Sequence, residues 1–81
     1  MNETKIRNTI TECFVGLTKH IMIVDGIAHD EAYRKLMTSE LFRLVSDSDT
    51  RLYLEPNAEL VKLYDLERKN GIDALYQRIN G

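Results

Sequence analysis

A chain of 81 residues, 43% hydrophobic and 30% charged, is long enough for one compact domain and too short for two. Its eleven basic and thirteen acidic residues leave a net charge of −2. They are spread without a single-sign block, which removes any general attraction to phosphate backbones or anionic membranes. The single cysteine, Cys13, excludes an intramolecular disulfide and fits a reducing compartment, so a cytoplasmic location is expected.

A core of this size leaves a narrow stability margin. Domains this small are commonly supported by disulfides, metal or oligomerisation, and only the last is open here. We therefore expect a homodimer or a subunit bound to another protein. The opening Met1-Asn2-Glu3-Thr4-Lys5 has no basic segment followed by an apolar core, so no signal peptide is expected. The longest uninterrupted apolar run, Ile21 to Val24, falls far short of the roughly 20 residues that cross a bilayer.

In chain order, Ile6, Ile10, Phe14, Leu17 and Ile21 recur at steps of three and four, one face of a helix over residues 4–24, with Asn2 or Thr4 as its cap. Cys13, Met22, Ile23 and Val24 widen the stripe, which predicts deeper burial at the C-terminal end. Asp25-Gly26 stops the helix, with Gly26 at positive φ. A second helix starts at His29-Asp30-Glu31, whose acids suit a helix N-terminus, and turns Ala32, Tyr33, Leu36 and Met37 inward. Thr38-Ser39-Glu40 either caps a third helix carrying Leu41, Phe42, Leu44 and Val45, or lies inside one continuous helix over 29–47. Ser46 to Thr50 is a polar turn, and Arg51 to Glu55 reads as an extended connector packed on the core. Pro56-Asn57 begins a further helix, with Asn57 as N-cap and Leu60, Leu63, Tyr64 and Val61 inward, closed by Gly71. Ile72, Leu75, Tyr76 and Ile79 mark a last helix. The predicted fold is an all-α, orthogonal or irregular bundle of four to five helices with one extended connector, forming one domain over 1–81.

Motifs for chemistry are weak. His20, His29 and Cys13 do not supply the four nitrogen and sulfur ligands of a structural zinc site, so no metal is expected. Asp47-x-Asp49 fails as a calcium loop because Leu52 and Ala58 stand where Gly and Glu are required. Cys13 lies beside Phe14 at the margin of an apolar stripe, the setting of a buried structural thiol. Isolated glycines at 16, 26, 71 and 81 make no phosphate loop. Glu55, Glu59, Asp65 and Glu67 fall on the expected solvent face of their helix. Neither catalytic residues nor a cofactor are expected, and the chain does not read as an enzyme.

The alternative reading is a DNA-binding accessory protein using residues 29–37 and 40–47 as a helix-turn-helix-like pair. Its second helix offers only Arg43 as a cation and carries acids at both ends, which repels phosphate. A protein interface fits better. Four tyrosines, at 33, 53, 64 and 76, suit half-buried positions, and the connector puts Leu52 and Leu54 where little regular structure covers them. The expected interface is Leu52, Tyr53, Leu54 and Tyr64.

The stretch Gly26-Ile27-x-x-Asp30-Glu31-Ala32-Tyr33-x-x-Leu36, followed at a distance by Ile72-Asp73, resembles a family of small uncharacterised bacterial helical proteins. Where members of that family carry a Leu-His pair before the last helices, this chain has Leu52-Tyr53-Leu54. The resemblance implies a bacterial cytoplasmic protein that binds a toxin-like enzyme encoded beside it, and it carries over no catalytic residue. The function expected from the sequence is accordingly protein–protein contact, by self-association or with another bacterial protein.

Overall fold

The first helix, α1, runs from Asn2 to Asp25. At about 1.5 Å per residue its 24 residues span the 37 Å long axis of the molecule. The computed structural model describes residues 2–81; the Asn2 side chain, one of the two expected caps, lies outside the described part. Thr4, the other, sits within the helix rather than at its start. Gly26 ends α1 at φ 63°, the left-handed conformation that a side chain would strain.

Four more helices follow: α2 (His29–Met37), α3 (Glu40–Ser46), α4 (Asn57–Asn70) and α5 (Ile72–Asn80). Residues 29–47 thus form two helices. The break has a clear cause, because Ser39 leaves helical geometry at ψ 153° and its hydroxyl accepts from Phe42 N–H at 3.1 Å. Glu67 on α4 completes the cap: its two carboxylate oxygens accept from the N–H groups of Glu40 and Leu41 at 2.8 and 2.9 Å. This corrects the expectation that Glu67 faces solvent. Asn57, expected as the N-cap of α4, is instead its first residue, and Pro56 occupies the cap position. Pro lacks an N–H and holds φ near −62° here, which suits a helix entry.

The connector differs most from expectation. It is not extended; it coils into two 3₁₀ turns, Ser48–Thr50 and Leu52–Leu54. The turns are joined by Arg51 in left-handed geometry at φ 59°. Thr50 holds the pair together, its hydroxyl bonding to Leu44 O at 2.6 Å and accepting from Leu52 N–H at 3.2 Å.

The core is one cluster. Cys13, Leu17 and Ile21 on α1 meet Ala32 and Leu36 on α2, Leu41, Leu44 and Val45 on α3, Leu60, Leu63 and Tyr64 on α4, Leu75 on α5, and Leu52 from the second turn. Each fully buried aliphatic side chain contributes about 1.5–3 kcal/mol. The C-terminal half of α1 does carry the buried residues, but not all that were expected: Ile23 is 82% exposed and Val24 is also open to solvent. Met37, read as inward, and Ile72, which marks the start of the last helix, are likewise about half exposed. The radius of gyration of 12.2 Å is close to the roughly 12 Å of a globular chain of this length.

Candidate functional site: an aromatic groove between α1 and α2

The residues singled out from sequence do not form one surface. Leu52 and Tyr64 are core residues, 7% and 3% exposed, and Tyr53 is half-buried. Only Leu54, at 65%, is open. The reason is the 3₁₀ coiling: a tight turn sends Leu52 inward between α1 and α3 and leaves Leu54 outside. Tyr64 is buried because α4 packs this face against α1 and α3, where burial pushes its phenol pKa up.

A different face carries a shaped apolar site. Phe14 on α1 stacks on Phe42 of α3 with ring centroids 4.4 Å apart, and Tyr33 of α2 meets Phe42 edge-on at 6.2 Å. His29 stacks parallel to Tyr33 at 6.4 Å, extending the aromatic wall to the start of α2. In front of these rings lies a half-open groove of about 190 Å³, lined by Thr11, Phe14, Val15, Thr18, His29 and Tyr33. Its rim is Val15, 49% exposed. Thr18, which also borders the groove, is 2% exposed, and its hydroxyl oxygen is closed off from the surface without a hydrogen-bond partner among the described residues.

The geometry follows from helical spacing. Thr11, Val15 and Thr18 lie at steps of four and three on α1, on the side turned to α2 and away from the Cys13, Leu17 and Ile21 stripe. Two other threonines of α1 resolve their hydroxyls locally: Thr9 donates to Lys5 O at 2.9 Å and Thr11 to Arg7 O at 3.0 Å. Thr18 does not. The other depressions on the surface mix charged and apolar chains, such as Glu55, Glu59 and Arg78 with Leu63 and Ile79 in one and Glu3 and Arg7 with Ile6 and Ile10 in another.

No family model, curated protein or solved structure matches this chain. The chemistry of the site therefore rests on its own side chains. Cys13 is buried, its thiol lying 3.6 Å from Tyr53 O, and burial, followed by the charge of Glu12, holds its pKa above the ordinary thiol value. A protonated, enclosed thiol is a poor nucleophile. His20 pairs with Asp65 at 3.0 Å on the far side of α1. Among the described residues no three His, Cys, Asp or Glu side chains converge as metal ligands. In the helix pair α2 and α3, Arg43 is bound to Glu40 and Tyr76, which reduces its availability to phosphate. No helix among the described residues is long and apolar enough to cross a membrane.

The groove was not legible as a site. Phe14 and Tyr33 read from the sequence as ordinary core residues, and Val15 and Thr18 fell outside the apolar stripe. The available signal was the Thr11, Val15, Thr18 spacing, which marks a second face of α1 but does not say what covers it.

Proposed function

We propose that this protein is a protein–protein interaction module, a small bacterial cytoplasmic subunit that docks another protein, or a second copy of itself, in the groove between α1 and α2. The observation that carries the reading is the groove itself, where aromatic and aliphatic walls remain in contact with water in the isolated chain. Covering such surface is favourable by about 25 cal/mol per Å² of apolar area removed from water. The resemblance to small bacterial helical proteins supports a bacterial partner, and the narrow core of an 81-residue domain supports the need for one. We place the protein among binding proteins rather than enzymes.

The surface moves from the connector to the groove, and one pair of variants separates the two. Val15 and Leu54 are both exposed, so Val15→Glu and Leu54→Glu should keep the helical circular dichroism of the parent. Light scattering over a concentration series reads self-association, and tagged capture from a bacterial lysate reads a heterologous partner. The expected outcome is that Val15→Glu abolishes dimerisation or capture of a stoichiometric protein while Leu54→Glu retains it. Loss with Leu54→Glu alone would return the interface to the connector. A monomer that captures nothing in any form would end the interaction reading.

A further inference from the structure

One residue joins α4 to α5. Gly71 alone separates Asn70 from Ile72, at φ 92° and ψ 177°, a backbone conformation open to glycine and closed to residues that carry a Cβ. No other atom lies within 4 Å of where that Cβ would stand, so the turn itself, and not crowding, requires glycine here. If Gly71 takes helical φ and ψ instead, α4 and α5 become one helix over 57–80. A hinge this short leaves no geometry between closed and straight that keeps α5 on its own chain, the condition that favours exchange between copies.

The seat of α5 is built entirely from residues before the hinge. The helix packs chiefly on α4 and puts Leu75, fully buried, into the core, with Tyr76 and Ile79 partly buried against it. The Tyr76 hydroxyl donates to Glu40 and accepts from Arg43 at 2.9 Å, and Arg78 donates to Glu59 at 3.1 Å. A second copy therefore offers the same seat, complementary by identity. We propose that two copies of this chain exchange α5 across a straightened Gly71 hinge, each filling the seat the other vacates. This interface is separate from the groove between α1 and α2. The Leu75 burial and the Tyr76 and Arg78 bonds are remade between chains, so the balance rests on the hinge, on the freedom lost in association and on Ile72. Ile72 is half exposed beside the hinge, and in the exchanged pair the two hinges pass each other at the two-fold axis, where each copy covers the other's Ile72. Glycine is unfavourable inside a helix, so Gly71 biases the chain toward the closed form and sets how much exchange occurs.

The test refolds the full chain from urea at millimolar concentration as an equal mixture of isotope-labelled and unlabelled protein, and separates monomer from dimer by size exclusion. The expected result is a dimer that dissociates slowly on dilution, because α5 has to leave the core, and that shows isotope-filtered contacts between α5 of one copy and α4 of the other. Gly71→Ala penalises the closed turn and favours the straight helix in both chains, so it should tighten the dimer about a hundredfold. A Gly-Ser-Gly insertion after Gly71 frees the turn and should return the protein to monomer. Absence of a dimer from the parent chain, or a dimer whose α4–α5 contacts all lie within one copy, overturns the exchange. Should Gly71→Ala fail to fold, the filtered spectrum of the parent decides by itself. Val15→Glu should leave the exchanged dimer intact; its loss would assign the dimer to the groove and overturn the exchange, so the two interfaces fail separately.

Discussion

Thr18 illustrates how much one atom decides. A hydroxyl buried without a partner costs about 1–3 kcal/mol, and valine has nearly the same shape without that cost. Thr18→Val should therefore stabilise the isolated chain by about 1 kcal/mol, raising the thermal midpoint by about 4–8 °C for a domain of this size. An unchanged or lower midpoint would mean that the hydroxyl is satisfied in solution. Most single substitutions destabilise, so a gain at a buried position would identify this residue as one kept for something other than folding. Arg51 is a second local exception. Left-handed geometry costs a residue with a side chain about 1–2 kcal/mol, and here it is imposed by the two 3₁₀ turns that bury Leu52.

At the scale of elements, α3 depends on its neighbour. A helix of seven residues does not persist alone, and it is held by Leu41, Leu44 and Val45 in the core and by two caps at its start, Ser39 from its own chain and Glu67 from α4. Glu67 accepts two N–H bonds as a carboxylate, so Glu67→Ala should cost about 1–2 kcal/mol, read as a fall in the urea midpoint at unchanged slope. A variant within experimental error of the parent would show that water replaces the carboxylate without loss. The contact of α1 with α4 has a different device: a Cβ on Gly16 would run into the side-chain amide of Asn57, so the first side chain of α4 lies directly against the α1 backbone.

Across the whole molecule, two carboxylates tie distant elements together. Asp25 at the end of α1 accepts from Arg68 of α4 at 2.8 and 3.0 Å and from Lys35 of α2 at 3.0 Å. Glu40 of α3 accepts from Arg43 and from the Tyr76 hydroxyl of α5. Arg68 first and then Lys35 hold the Asp25 carboxyl below its ordinary pKa, and Arg43 first and then Tyr76 do the same for Glu40. A carboxylate depressed in the folded state stabilises above its unfolded pKa, and that contribution disappears as pH falls through the folded value. Thermal stability should therefore be flat between about pH 7 and pH 5 and decline below about pH 4. Asp25→Asn should lower the plateau and make the acid limb shallower. An acid limb as steep as the parent's would show that other carboxylates set it.

How much of this was readable varied with the range of the interaction. The apolar steps of three and four, the glycines at 26 and 71 and the Pro56 entry mark the helical stretches to within about two residues but leave 29–47 open as one helix or two, because helix formation, capping and termination are settled within about four residues of chain whereas the Glu67 cap at the α2–α3 break comes from α4. Which side of each helix is covered depends on helices brought together from far apart in the chain. Ile23 and Val24 continue an apolar stripe yet face solvent, Leu52 looks exposed on a connector yet fills the core, and Glu67 looks solvated yet caps α3. The groove belongs to this second kind: Phe14, Thr18, Tyr33 and Phe42 come from three helices and meet only when α2 and α3 fold across α1. Local periodicity determined that the chain is an all-helical bundle; the packing of its helices decided where it has a site, because burial is a property of pairs of surfaces and not of any one of them.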